Sequence, residues 1–145
     1  MSLQDWLDNG WLTEHRTSRQ EIANLLALAD RDLADCQSPG LSTDWRMNIA
    51  YNAALQASRA ALAASGYRAA RVAHHYRVIH SLAETIGADT ELIAQLEQFR
   101  KKRNIGGYER AGLVSDHEAR EMLELAEQLC CDVEKWIRDN YPKLL

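Results

Sequence analysis

The segment from Ser42 to Ser65 constrains the fold most, because it contains neither glycine nor proline and is followed directly by Gly66. Alanine is the strongest helix former, and glycine is favoured just after a helix. Small side chains also let neighbouring helices approach closely. The segment therefore predicts the central helix of an antiparallel bundle in an all-α chain. Its small residues are Ala50, Ala53, Ala54, Ala57, Ala60, Ala61, Ala63 and Ala64.

An earlier helix is predicted to begin at Ser18, which has capping-box spacing to Glu21, and to end before Pro39. Its apolar stripe, at steps of three and four, consists of Ile22, Leu25, Leu26, Ala29, Leu33 and Cys36. The residues before Ser18 are predicted to form a short amphipathic helix across the bundle, with the apolar residues Trp6, Leu7 and Trp11.

Three more helices complete a bundle of about five. The third covers about residues 73–86, ahead of Gly87, with the stripe Tyr76, Ile79, Leu82, Ala83 and Ile86. The fourth starts near Thr90, and a glycine-containing loop over residues 104–114 separates it from the last helix. The last helix opens with a second capping box at Ser115. No segment shows the alternation of a β-strand.

Length and composition fit one globular domain, residues 1–145, with residues 1–17 as an N-terminal helical extension. No run of about 18 apolar residues occurs, and the acidic N-terminus lacks a signal-peptide pattern, so a cytoplasmic location is expected. Three cysteines with an adjacent pair suggest reduced thiols. No spacing predicts a metal or another cofactor. The net charge of −4 argues against a general polyanion binder and leaves a locally basic site open.

The densest chemical cluster runs from residue 99 to residue 110 and contains five basic residues in an acidic chain. Leu92, Leu96 and Phe99 step by four and three, so Arg103 comes next on that face and is expected to point toward the bundle or a groove beside it. A guanidinium in that place needs a partner. In one interpretation Arg103 pairs with an acidic residue or caps carbonyl groups, and so holds the loop. In the other it binds a phosphate, which suits the planar fork of donors on an arginine.

Two other polar groups have two interpretations each. A stripe along the central helix is either a solvated face or the edge of a polar cleft, and it consists of Asn48, Asn52, Gln56 and Arg59. A second basic patch is either solvated helix-end charge or part of a groove for an anionic ligand, and it consists of Arg68, Arg71, His74, His75 and Arg77. The adjacent histidines point about 100° apart on a helix, so they do not suggest a zinc site.

The residues from Arg103 to Tyr108, followed after a short loop by Val114–Ala119, resemble the end of a HEPN domain. That family has an Arg-Asn pair and a histidine between its last two long helices. Residues 45–46, 49–55 and 74–77 also resemble family members, and the likeness covers about residues 18–140. The resemblance implies a helical bundle whose active site forms across a symmetric dimer. It also implies a nucleotidyltransferase-fold partner in a toxin–antitoxin module.

Tyr108 stands where active HEPN ribonucleases have histidine. In those enzymes the arginine binds the scissile phosphate and the histidine transfers protons during attack by the RNA 2′-hydroxyl. The resemblance therefore offers Arg103 and Tyr108 as catalytic candidates. A tyrosine of ordinary pKa is a poor proton shuttle at pH 7, but it keeps a hydroxyl and a stacking surface. Binding is therefore expected in preference to cleavage.

The resulting prediction is a dimeric HEPN-like module that binds RNA, a nucleotide or a nucleotidyltransferase-type partner without efficient catalysis. A metal-independent endoribonuclease and a structural helical adaptor are the alternatives. The predicted ligand-binding residues are Arg100, Arg103, Asn104, Gly106, Gly107, Tyr108, Arg110, His75, Arg77 and Asn52.

Overall fold

The structure, a computed structural model, describes residues 1–106 and 114–145, with only the backbone of residues 104–106. The described chain is mostly helical, as predicted. Its helices are α1 (Leu3–Asp8), α2 (Arg19–Asp35), α3 (Thr43–Ala64), α4 (His74–His80), α5 (Thr90–Gly106) and α6 (Asp116–Asn140), with 3₁₀ turns at Ser81–Ala83 and Pro142–Leu144. None of these described helices is long and apolar enough to cross a membrane.

Helix α3 lies at the centre of the fold, as its alanine content predicts. It packs mainly against α2 and α6 and also contacts α4 and α5. Its alanines are buried, and Tyr51 is only 1% exposed. The polar stripe of α3 is not a solvated face, because Asn48 is buried and Asn52, Gln56 and Arg59 are half-buried. The stripe instead lies where polar side chains of other helices can reach it.

Serine hydroxyls cap the first turns of α2 and α6 at the predicted positions. Ser115 and Glu118 form the full capping box of α6, with both reciprocal hydrogen bonds. At α2 the Ser18 hydroxyl accepts from the Glu21 N–H at 3.1 Å. The Glu21 carboxylate, however, contacts His15 at 2.7 Å. The second half of the predicted box is therefore wrong, because a side-chain partner holds this carboxylate instead.

Two short strands correct the expectation of a chain without β-structure. Strand β1 (Leu12–Glu14) pairs antiparallel with β2 (Tyr67–Ala69), and Leu12 is the register partner of Ala69. Both of these residues are buried. Strands of three residues are too short to show alternation in a sequence. The ribbon ties the segment before α2 to the segment between α3 and α4.

The third predicted helix is shorter than expected. Helix α4 ends at His80, and in the following 3₁₀ turn the Ser81 hydroxyl donates to the Val78 carbonyl at 2.7 Å. Such a side-chain bond to the backbone competes with regular helical bonding. The buried stripe also differs, because Val78 is fully buried while Tyr76, predicted to lie in the core, is 36% exposed.

Candidate functional site

Polar side chains converge where α4 and the C-terminal half of α5 pack on α3. The guanidinium carbon of Arg103 lies 5.4 Å from the centre of the Tyr51 ring, so Arg103 points toward the bundle, as its spacing predicts. Its Nε is buried and has no hydrogen-bond partner among the described residues. No carboxylate in that part of the chain forms an ion pair with it. The acidic partner considered from the sequence is therefore not found there.

Arg100 lies one turn before Arg103 on α5 and is paired. Its Nε and Nη2 donate to the two carboxylate oxygens of Glu97 at 2.8 and 2.9 Å. Two parallel bonds are the strong form of an arginine–carboxylate pair, and hydrogen bonding to Glu97 raises the pKa of Arg100. The pair fixes the guanidinium beside Tyr76, whose ring centre lies 5.9 Å from the guanidinium carbon.

Two uncharged groups, Tyr51 and His75, lie among the arginines. The Tyr51 hydroxyl and His75 Nδ1 are 3.5 Å apart. Burial lowers the pKa of His75 to about 4, and the positive charges of Arg103 and Arg59 act in the same direction. Burial raises the pKa of Tyr51 to about 12. At pH 7 the imidazole is therefore unprotonated and the phenol is protonated, so neither adds charge to the site.

Arg59 belongs to this cluster, although the sequence offered it only as the end of the polar stripe. Its Nε donates to His74 Nε2 at 3.4 Å, and its Nη1 donates to Gln56 Oε1 at 3.2 Å. His74 Nδ1 lies 3.1 Å from the Ala70 carbonyl, which can only accept, so Nδ1 carries a proton and Nε2 accepts. Burial lowers the pKa of Arg59, and no described carboxylate pairs with it.

Arg77, a predicted ligand-binding residue, is engaged by aromatic rings. Its guanidinium carbon lies 3.8 Å from the centre of the Trp11 ring and 5.3 Å from that of Tyr76. Trp11 follows α1 and packs edge-on against the buried Trp6, with ring centres 5.7 Å apart. Arg77 therefore holds the N-terminal segment against α4, and its role in ligand binding stays a prediction.

The structure describes only some of the remaining predicted ligand-binding residues. Asn52 is half-buried on α3, directly after Tyr51 in the chain. Asn104 and Gly106 lie in the last turn of α5, where the backbone alone is described. The other predicted residues lie outside the described part of the chain, and they are Gly107, Tyr108 and Arg110. From the second basic patch, Arg68 and Arg71 are exposed.

Arg59, Arg100 and Arg103 form an arginine cluster. An open pocket of about 410 Å³ adjoins it, and its wall consists of Ala73, His74, His75, Tyr76 and Arg100. A smaller cavity of about 130 Å³ is lined by Arg59 and His74 together with apolar residues that include Leu25, Leu62 and Val78. Within residues 1–106 and 114–145, no group of three or more His, Cys, Asp or Glu residues could hold a metal ion. The cluster is thus a cationic site whose Arg100 lines the larger, open pocket.

The chain matches no protein-family model and no curated protein.

Proposed function

We propose that this chain is a HEPN-like binding module that binds a phosphate group of RNA or of a nucleotide at Arg59, Arg100 and Arg103. The observation that carries the proposal is the half-buried guanidinium of Arg103, whose Nε has no partner in the described chain. A buried donor left without a partner costs about 1–3 kcal/mol, and a charged group costs more. A bound anion would remove that cost.

The charge balance of the cluster supports an anionic ligand. Three guanidiniums act electrostatically on Tyr51, and the arginine side chains have a single carboxylate partner, that of Glu97. His75 is uncharged at pH 7. The three arginines and Glu97 therefore carry a surplus of two positive charges in a chain whose net charge is −4. Arginine forks match the oxygens of a phosphate in geometry as well as in charge.

The proposal also includes the motif residues that the described cluster does not cover, and these are Asn104, Gly106, Gly107, Tyr108 and Arg110. A homodimer and a nucleotidyltransferase-type partner belong to it as well, and both rest on the resemblance to HEPN domains. A symmetric dimer that brought two copies of Arg103 together would juxtapose like charges. An anionic ligand or acidic residues between them would relieve that repulsion.

A metal-independent endoribonuclease is the second candidate, and the unprotonated His75 beside Arg103 favours it. A neutral imidazole can accept the proton of an attacking 2′-hydroxyl. With a pKa of about 4, however, His75 is a weak base at pH 7, so we place binding first. A structural adaptor would require Arg103 to be internally paired with no cleft nearby. The open pocket at Arg100 argues against that alternative.

The affinity for a fluorescein-labelled single-stranded oligoribonucleotide tests the proposal. We expect Arg103→Gln to raise the Kd measured by fluorescence anisotropy about tenfold or more, because a hydrogen bond to a charged group contributes about 1.5–3 kcal/mol. Lys101→Gln is the matched control, since it removes one positive charge from an exposed position of the same helix. It should change Kd by about twofold at most, because an exposed charge contributes little.

Two outcomes would contradict the proposal: no binding by the wild-type protein at about 50 mM salt, or equal losses in Arg103→Gln and Lys101→Gln. Cleavage of the same oligoribonucleotide in the presence of EDTA, abolished by Arg103→Gln, would instead support the endoribonuclease.

A further inference from the structure

The pocket of about 410 Å³ beside the arginine cluster has an aromatic wall. His74, His75 and Tyr76 line it together with Ala73 and Arg100, and none of these residues is acidic. Its volume falls in the range of small-molecule sites, roughly 300–1,000 Å³. Tyr76 is 36% exposed and lines this pocket, so a ligand in the pocket can contact it.

Tyr76 is held in place although it is exposed. Its ring stacks on that of His80, with ring centres 4.0 Å apart and planes inclined by 28°. The guanidinium carbons of Arg77 and Arg100 lie 5.3 and 5.9 Å from its centre. Arg100 is fixed in turn by its two hydrogen bonds to Glu97. A ring and a guanidinium that are positioned before the ligand arrives lose little conformational entropy on binding.

We propose that this pocket is a nucleobase subsite, in which the base of the bound nucleotide stacks on Tyr76 and the guanidinium of Arg100. The inference rests on the proposed function, since the phosphate of the same nucleotide is assigned to Arg103. Aromatic rings beside cationic groups bind single strands because every base presents a face for stacking. Arg100 contributes to both the base subsite and the proposed phosphate site. Arg103 lies one helical turn, about 5 Å, further along α5. A single nucleotide can span that distance.

The chemistry of the wall favours a base over the other groups that accompany phosphates. A sugar needs several hydrogen-bonding partners, and a second phosphate needs further cations. The wall instead offers three rings, those of His74, His75 and Tyr76, and one cation, Arg100. The ligand class is therefore a nucleotide unit, either free or within a single strand. Because stacking tolerates all bases, little preference among them is expected.

Paired titrations with adenosine 5′-monophosphate, the labelled oligoribonucleotide and inorganic pyrophosphate test the subsite. We expect Tyr76→Ala to weaken binding of the two base-bearing ligands at least about fivefold, the loss of stacking with one base, and to leave pyrophosphate affinity unchanged. Tyr76→Phe keeps the ring and should bind like the wild type. Tyr76→Leu, which keeps apolar packing on His80, should behave like Tyr76→Ala. Trp45→Ala removes another exposed aromatic side chain, 60% exposed, and is the matched control.

The outcomes separate this inference from the proposed function. If Tyr76→Ala and Tyr76→Leu leave the affinity for base-bearing ligands unchanged, or weaken pyrophosphate binding equally, the base subsite is wrong and the phosphate site stands. If the wild-type protein binds none of the three ligands, the proposed function fails and the subsite with it. If the wild-type protein binds the oligoribonucleotide but not the mononucleotide, and Tyr76→Ala weakens that binding, the subsite is supported with a single strand as its ligand. If the wild-type protein also binds the mononucleotide, and Tyr76→Ala weakens that binding too, the subsite is supported with a free nucleotide as a ligand.

Discussion

Replacing Arg59 and Arg103 together by methionine is expected to weaken oligoribonucleotide binding about 100-fold and to leave the protein folded. A hydrogen bond to a charged group contributes about 1.5–3 kcal/mol, so each guanidinium accounts for roughly tenfold or more in Kd. The charges of Arg59 and Arg103 both act on Tyr51 and on His75. Because the two guanidiniums lie around the same two side chains, we expect them to contact the same anion. Fluorescence anisotropy of each single variant and of the double variant measures the effect.

The stability of the same double variant distinguishes a ligand site from a structural one. Neither guanidinium has a carboxylate partner in the described chain, so methionine relieves the cost of holding a half-buried charge. The contact of Arg103 with the Tyr51 ring is lost, at about 0.5–1 kcal/mol, and so are the hydrogen bonds of Arg59 to His74 and Gln56. The relieved cost of the two half-buried charges offsets these losses. We therefore expect the free energy of unfolding in urea to change by about 1 kcal/mol at most.

Arg100→Met is the matched control for stability. It leaves the Glu97 carboxylate, whose side chain is only 14% exposed, without its arginine, and an unpaired group of this kind costs about 1–3 kcal/mol. If the double variant lost as much stability as Arg100→Met while binding the oligoribonucleotide normally, Arg59 and Arg103 would be structural residues and the proposed ligand site would be wrong.

Acidification from pH 6.5 toward pH 4 should destabilise the wild-type protein by about 1–2 kcal/mol more than His75→Gln. The pKa of His75 falls from 6.5 to about 4 in the folded chain, chiefly through burial. The unfolded chain therefore takes up this proton at a higher pH than the folded chain. The stability linked to His75 is complete above pH 6.5 and is lost as the pH falls toward 4. Partial exposure of the ring keeps the effect below the full shift.

Urea unfolding across this pH interval measures the difference. His117→Gln is the matched control, because the His117 side chain is 76% exposed. Carboxylates such as Glu21, whose pKa is lowered in the fold, contribute equally to all three proteins. Parallel profiles for the wild type and His75→Gln would show that the imidazole does not lie half-buried among positive charges.

Much of the fold could be predicted because its signals are local. Helix α3 follows from a run of alanines without glycine or proline, and the start of α6 follows from the spacing of Ser115 and Glu118. The β-ribbon could not be predicted, since Leu12 pairs with Ala69 far along the chain. Nor could the end of α4, where the Ser81 hydroxyl bonds to a backbone carbonyl. The ribbon depends on a long-range pairing, whereas the end of α4 depends on a local side-chain bond that the spacing of apolar residues does not reveal.

The site was predictable to a smaller extent. The direction of Arg103 followed from the stripe of α5, which is again a local pattern. Tyr51 and Arg59 were not named as ligand residues, because only the packing of α3 against α4 and α5 brings them beside Arg103 and His75. The contribution of Arg59 had one signal in the sequence, its place in the polar stripe. The contact between Arg77 and Trp11 had none.

The pKa of His75 with and without ligand tests most directly the central claim that an anion binds beside Arg103. NMR titration of the isotopically labelled imidazole should give a midpoint near pH 4 in the free protein. With saturating oligoribonucleotide we expect the midpoint to rise by at least about one unit, equivalent to about 1.4 kcal/mol, because a nearby phosphate favours the imidazolium. The same midpoint in the presence and absence of bound ligand would contradict the claim.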